Sequence, residues 1–213
     1  MSLGAVSQRL DRNFLDIFGA FHTTPEDGIG AGTLVLLGPK EPGFWANFTA
    51  TPEWNDGIED PMNRWSTRVI SAAAADLGAT ALFPFGQPVR PFLSWALKSG
   101  RAWQSPVMLL VHDTAGMMVS YRGALLLPEE VALPETGQSP CLTCADQPCR
   151  TACPVQALTA DGYDLDACHG YLDTSDGAHC LSNGCAVRRI CPAGQSYERQ
   201  PKQSAYHMGQ FHK

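Results

Sequence analysis

The chain has 213 residues, of which 44% are hydrophobic and 17% are charged, a composition typical of a globular protein with a buried core. Its formal net charge of −6 argues against a protein that binds nucleic acid by neutralising phosphates. No apolar run is long enough to cross a bilayer, and Arg9, Asp11 and Arg12 interrupt any signal-peptide core, so we expect a cytoplasmic protein without a membrane partner.

Helix and strand patterns both occur in the first 140 residues, which contain no cysteine. Residues 3–22 carry apolar side chains at three- and four-residue spacing, which predicts one amphipathic helix built on Val6, Leu10, Phe14, Ile17, Phe18 and Phe21. The apolar run Thr33–Leu37 predicts a short buried strand. The stretch 38–57 is rich in Pro and Gly and predicts a long loop.

A second helix is delimited by the residues at its ends. Asp60 suits the N-cap, Pro61 the first helical position, and Gly78 the residue after the last turn. One face of this helix is apolar and consists of Met62, Trp65, Val69 and Ala73. The remaining predicted elements are a strand at Ala79–Phe85, a helix at Phe92–Ser99, and a β-hairpin formed by Val107–Val111 and Met117–Leu127. These elements predict an α+β fold class.

The cysteines mark a separate module. Three prolines in residues 128–140 precede a stretch that contains all eight cysteines of the chain. We therefore expect an α+β domain over residues 1–135, a compact cysteine module over 136–195, and a polar tail over 196–213 that lies on the surface or is mobile.

The spacing of the cysteines predicts metal ligands. A chain with its own core and no export signal is not the small secreted domain that disulfides usually stabilise. The first run has gaps of two, four and three residues and ends in Cys153-Pro154, whereas the bacterial ferredoxin run is C-x2-C-x2-C-x3-C-P. The second half also ends in a Cys-Pro pair, Cys191-Pro192. Eight thiolates in two such runs predict two [4Fe–4S] clusters, with Ala145–Pro148 bulging outward from the first loop.

The module resembles the ferredoxin-type part of epoxyqueuosine reductases and of corrinoid-dependent reductive dehalogenases. The resemblance covers residues 117–192 and includes Leu165–Leu172, around the isolated Cys168, and Arg122–Leu127, in the segment that leads into the cysteines. The gaps 144–149 and 180–185 are wider than in the family. The resemblance implies that Cys141, Cys144, Cys149 and Cys191 hold one cluster, and that Cys153, Cys168, Cys180 and Cys185 hold the other.

For the first domain, the resemblance implies a sandwich-like α+β fold of the nitroreductase or cobalamin-processing type, followed by a small bacterial-ferredoxin-like module. Candidate contacts to a large flat ligand such as cobalamin are Phe44, Trp45, Phe85 and Arg90. The alternative, which the sequence alone favours, is that the aromatic rings complete the core. The eight cysteines predict an iron–sulfur redox protein, a candidate oxidoreductase, that passes electrons to a cofactor or a partner protein at the first domain. A corrinoid-binding reductase or a cobalamin-processing protein is the alternative.

Other interpretations of the polar residues stay open. Four-cysteine zinc sites use the same thiolates and would make the chain a zinc-stabilised, non-enzymatic interaction module. His169 or His179 could replace a cysteine ligand, and His112-Asp113 could supply an axial ligand or a proton. Three arginines flank ligand cysteines and either offset the negative charge of a cluster or lie on a solvated surface: Arg150, Arg188 and Arg189.

Overall fold

The computed structural model describes residues 1–213 and shows a mixed α+β chain. The chain divides into two compact units: the first comprises Met1–Arg101 and Ser120–Gly137, and the second comprises Ala102–Val119 and Gln138–Lys213. The boundary at Gly137 lies near the predicted one at residue 135, but residues 102–119 belong to the second unit instead of the first. None of the helices combines the length and the apolar character that a bilayer-spanning segment needs.

Short helices and strands alternate along the chain. In order they are α1 (Leu3–Asp11), β1 (Leu15–His22), β2 (Thr33–Pro39), α2 (Phe44–Thr49), α3 (Pro52–Asn55), α4 (Pro61–Leu77), β3 (Thr80–Leu82), α5 (Phe92–Lys98), β4 (Ala102–Gln104), β5 (Leu110–His112), β6 (Gly123–Leu127), α6 (Leu165–Leu172), α7 (Ala178–Asn183), α8 (Ala186–Arg189) and α9 (Pro201–Phe211). Single 3-10 turns occur at Pro25–Asp27, Pro140–Leu142, Pro148–Arg150 and Ser175–Gly177, and a longer one at Pro192–Tyr197.

The first unit is built on a four-stranded antiparallel sheet in the order β1-β2-β6-β3. All residues of β2 and β6, the two central strands, are buried, which explains why both segments are continuous apolar runs in the sequence. The register of these two strands runs from Thr33 opposite Leu127 to Leu37 opposite Gly123. The predicted buried strand at Thr33–Leu37 is therefore confirmed as the centre of this sheet.

The single helix predicted over residues 3–22 is wrong in its second half. α1 ends at Asp11, Phe14 adopts a left-handed φ of 52°, and β1 begins at the next residue. β1 pairs with β2 and buries Leu15, Phe18 and Phe21, with a bulge between Ile17 and Gly19 that shifts the register. Phenylalanine and isoleucine favour strands, so pairing with β2 prevails over the helical spacing of these residues.

The predicted loop at 38–57 instead contains two short helices, α2 and α3. Their aromatic side chains form part of the core of the first unit. Phe44 packs edge-on against Trp65 of α4 at a centroid distance of 5.4 Å, and Phe48 packs against the same ring at 5.7 Å. Burial of these large rings stabilises helices that local propensity alone would not support.

α4 is confirmed with the predicted apolar face buried and with Gly78 in a left-handed conformation after its last turn. Asp60 differs from the prediction, because it has a left-handed φ of 52° and its side chain makes no capping hydrogen bond. α5 is confirmed, and the strand predicted at Ala79–Phe85 is shortened to β3.

The hairpin predicted from residues 107–127 is wrong. β5 pairs with β4 in the second unit, whereas β6 pairs with β2 and β3 in the first. The apolar run Val107–Val111 mostly precedes β5 and contributes two fully buried side chains, Val107 and Val111, to the core of the second unit. An apolar run predicts burial but does not identify its partner strand.

Residues 201–211 of the C-terminal polar tail form α9, which packs on α7. Gln203 and Ser204 of α9 are buried, and Ser204 lies so close to Gly184 that a Cβ added there would come within 2.6 Å of the serine Cβ. Because the tail is polar in composition, the sequence did not predict the packing of α9 on α7. The tail therefore belongs to the second unit, together with the cysteines.

Candidate metal centre

Four cysteines from distant parts of the sequence line one cavity of about 500 Å³ in the second unit. They are Cys141, Cys144, Cys149 and Cys191, called here the first cysteine set. Cys141 and Cys149 each follow a proline in a single 3-10 turn, and Cys191 precedes the turn that starts at Pro192. Proline suits the first position of such a turn because its missing N–H would have no partner there. The prolines therefore help to fix the backbone at three of the four thiols.

The widened gap between Cys144 and Cys149 does not bulge outward as predicted. Ala145, Asp146, Gln147 and Pro148 all line the same cavity as the first cysteine set. Gln147 has a left-handed φ of 38°, after which the 3-10 turn containing Cys149 begins. The extra residues, Asp146 among them, therefore extend the wall of the cavity.

The thiols of the first cysteine set influence one another electrostatically. Burial raises the pKa of Cys149, and the neighbouring thiols Cys141, Cys191 and Cys144 raise it further. Burial also raises the pKa of Cys141, against the effect of a hydrogen bond with Ser139. Thiols with raised pKa values stay protonated unless a cation stabilises their thiolate forms. Cys141 and Cys149 therefore have the electrostatics expected of ligands that need a metal to ionise.

An apolar wall borders the first cysteine set. Its buried members are Val107, Val111, Met117, Cys149, Leu158, Val187 and Cys191. Gly116 approaches the backbone of Gly194 so closely that an added Cβ would lie 2.4 Å from the Gly194 nitrogen. This approach fixes the segment before Met117 against the turn that follows Cys191. Sequence reasoning missed the role of residues 102–119, because that segment contains no cysteine and no motif.

The remaining four cysteines form a second group, the second cysteine set: Cys153, Cys168, Cys180 and Cys185. Cys168 lies in α6, Cys180 in α7, and Cys185 immediately before α8. Burial raises the pKa of Cys168, a hydrogen bond from Tyr163 lowers it, and the thiols of Cys185, Cys153 and Cys180 raise it. The other three members therefore all lie close enough to Cys168 to act on its thiol.

Two hydrogen-bond donors point at sulfurs of the second cysteine set. The backbone N–H of Ala157 donates to Cys153 Sγ at 3.2 Å, and the phenol of Tyr163 donates to Cys168 Sγ at 3.2 Å. Burial and the bond to Cys168 both raise the pKa of Tyr163, so its hydroxyl stays protonated and acts as the donor. Donors to sulfur stabilise negative charge on a thiolate.

The histidines considered as ligands have other partners. His169 Nδ1 lies 2.7 Å from His212 Nδ1, and the His169 ring stacks on Phe211 at 4.6 Å. His179 is exposed, and its Nδ1 lies 3.2 Å from the side-chain nitrogen of Asn183. His112 is fully buried, and its Nδ1 accepts hydrogen bonds from the backbone N–H groups of Thr114 and Ala115. These contacts hold His169 and His112 in structural positions.

The candidate contacts to a flat ligand do not share one environment. Phe44 is fully buried and Trp45 is 7% exposed, both within the aromatic core of the first unit. Phe85 stacks on Phe83 at 5.2 Å in the segment between β3 and α5, and Arg90 is half-buried in the same segment. Phe44 and Trp45 thus occupy core positions, as the alternative interpretation of these aromatics has it.

The donor set fits soft metal centres. No three His, Cys, Asp or Glu side chains meet at a point that a single metal ion could occupy, and the first cysteine set instead surrounds a cavity. Four thiolates are the ligands of a [4Fe–4S] cluster, and also of some structural zinc sites. Comparison with protein-family models, with curated proteins and with solved structures found no match to this chain.

Proposed function

We propose that this chain is an iron–sulfur redox protein whose second unit holds two [4Fe–4S] clusters, one in each cysteine set. The observation that carries the proposal is the grouping of eight cysteines into two sets of four. Each set combines cysteines from one half of the module with a cysteine from the other half. In the first set the distant member is Cys191, and in the second it is Cys153.

This exchange between the two halves supports clusters over unrelated metal sites. In two-cluster bacterial ferredoxins, the last cysteine of a run ligates the other cluster. Cys153 ends the first run, is followed by Pro154, and influences Cys168 of the second run. Cys191 ends the second half, is followed by Pro192, and lines the cavity with Cys141. The same crossed grouping is the one that the resemblance to epoxyqueuosine reductases implies.

The residues around the sets suit a redox centre. When bound, the clusters would take up and release single electrons. The apolar wall at Val111, Met117 and Val187 restricts water on one side of the first cysteine set. The hydrogen-bond donors of Ala157 and Tyr163 would stabilise the additional negative charge that reduction brings to the cluster of the second cysteine set.

The proposal assigns the first unit to the electron acceptor, which would be a bound cofactor or a partner protein. A corrinoid is one candidate for that cofactor on the strength of the resemblance. Because Phe44 and Trp45 are buried in the core, a corrinoid would have to use other residues of the first unit. An electron donor protein would supply the clusters.

Metal and sulfide analysis of protein purified without oxygen tests the proposal. We expect about eight iron and about eight acid-labile sulfide per chain, broad visible absorption, and bleaching on reduction by dithionite. A matched variant, Cys168→Ala, should retain about half of both. Stoichiometric zinc without sulfide would instead identify the thiols as structural zinc ligands and would contradict the proposal.

A further inference from the structure

Arg188 lies in α8, midway between a cysteine of each set. Cys185 of the second cysteine set lies three residues before it, and Cys191 of the first lies three residues after it. The guanidinium donates from Nη1 to the backbone carbonyl of Met117 at 2.6 Å. Met117 also lines the cavity of the first cysteine set. This hydrogen bond therefore anchors the guanidinium to a residue in the wall of that cavity.

The charge of Arg188 has no carboxylate partner. Arg9, Arg64 and Arg68 each form an ion pair with an Asp or Glu side chain, whereas Arg188 forms none. Arg188 is half-buried, burial lowers its pKa, and the thiolate form of Cys185 would raise it. Shielding a guanidinium from water is costly unless an opposite charge accompanies it. Because α8 begins directly after Cys185, Arg188 lies about one helical turn from that thiol, and the missing counter-charge is therefore to be sought in the second cysteine set.

We infer that Arg188 is a positioning cation that supplies the counter-charge for the cluster of the second cysteine set and favours its reduction. This inference rests on the proposed function. A four-iron cluster with four thiolates is an anion, and uptake of an electron makes it more negative. A fixed positive charge nearby stabilises the reduced form more than the oxidised form, which raises the reduction potential.

The two other arginines that flank ligands are held differently. Arg150 is exposed and bonds to the side-chain oxygen of Gln147 at 2.6 Å. Arg189 bonds to the carbonyl oxygen of Gly184 at 3.0 Å. Because water screens an exposed charge, Arg150 should affect the clusters far less than Arg188 does. Arg150 is therefore the control for an arginine that lies next to a ligand cysteine but is exposed to solvent.

The test is an anaerobic redox titration of the cluster-loaded protein, followed by electron paramagnetic resonance. The signal that disappears in Cys168→Ala is assigned to the second cysteine set. In Arg188→Gln, we expect the equilibrium constant for reduction of that cluster to fall about tenfold, which is 59 mV for one electron. In Arg188→Lys, which keeps the charge, this equilibrium constant should fall less than about threefold, and in Arg150→Gln it should stay unchanged.

Each outcome bears on the inference separately from the proposed function. If iron and sulfide are present but Arg188→Gln titrates like Arg150→Gln, the inference is wrong and the proposed function stands. If the equilibrium constant for reduction falls as far in Arg188→Lys as in Arg188→Gln, or if both variants lose the cluster, Arg188 has a structural role and not an electrostatic one. If the wild-type protein contains no sulfide, both the inference and the proposed function fail.

Discussion

The phenol of Tyr163 donates a hydrogen bond to the sulfur of Cys168 across 3.2 Å. The two residues are five positions apart, with Tyr163 before α6 and Cys168 within it. On its other side the Tyr163 ring stacks against Phe211 of α9 at a centroid distance of 6.2 Å. The C-terminal helix therefore helps to hold a donor against one thiol of the second cysteine set.

Replacing Tyr163 with Phe removes this donor and keeps the ring. One net hydrogen bond of about 1 kcal/mol corresponds to roughly 40 mV for a single electron, so we expect the potential of the second cluster to fall by about that amount. The control is Tyr171→Phe, because the Tyr171 hydroxyl donates to the carbonyl of Asp176 and not to a sulfur. Equal potentials in the two variants, measured by redox titration, would show that the bond to Cys168 has no electronic effect.

A substitution at Gly116 tests the close approach between Gly116 and Gly194 beside the first cysteine set. An added Cβ would lie 2.4 Å from the backbone nitrogen of Gly194, and φ at Gly116 is +53°. We expect Gly116→Ala to displace the turn after Cys191 and to lower the iron content to about half of the wild-type value. Gly78→Ala is the control, since Gly78 has a φ of +60° but no atom within 4 Å of an added Cβ. Full iron content in Gly116→Ala would contradict this account of the turn.

The pair Glu53–Arg68 predicts a pH dependence for the stability of the first unit. Glu53 is 8% exposed and accepts hydrogen bonds from Arg68 Nε and Nη2, and the bonds to Arg68 lower its pKa. Because the folded-state pKa lies below the unfolded one, the pair contributes stability above the unfolded value, and this contribution is lost as pH falls through the folded pKa.

We therefore expect Glu53→Gln to lower the free energy of unfolding by about 1 kcal/mol near pH 7, a modest amount because the Arg68 side chain is 55% exposed. The difference from wild type should shrink below about pH 4. Urea unfolding followed by tryptophan fluorescence measures it, with the exposed Glu130→Gln as control. A difference in the free energy of unfolding that grows as pH falls would contradict the stabilising role assigned to the Glu53–Arg68 pair.

Local signals in the sequence predicted some elements well. Pro61 and Gly78 delimit α4 because proline suits the first turn of a helix and glycine adopts the left-handed conformation that ends one. The run Thr33–Leu37 predicted β2 because only a buried central strand is apolar on both faces. The helical spacing at Phe14–Phe21 predicted a helix where the structure has β1, because pairing with β2 is a long-range interaction that local spacing does not indicate.

The candidate site, like the fold, could be predicted from the sequence only in part. The cysteines and the Cys-Pro pairs stand out in the sequence, and the resemblance supplied their crossed grouping. The wall formed by Val111 and Met117, the anchor of Arg188 and the packing of α9 could not be predicted, because each depends on segments far apart in the chain. Single apolar or polar residues in such segments have no motif that marks them as part of a metal centre.

The most direct test of the central claim counts iron and sulfide in paired cysteine variants. Cys141→Ala combined with Cys191→Ala removes two ligands of one set, so about four iron and four sulfide per chain should remain. Cys141→Ala combined with Cys153→Ala removes one ligand from each set, so both clusters should be lost. The reverse result, with both clusters lost in the first pair and four iron kept in the second, would mean that each cysteine run holds its own cluster and would contradict the crossed arrangement.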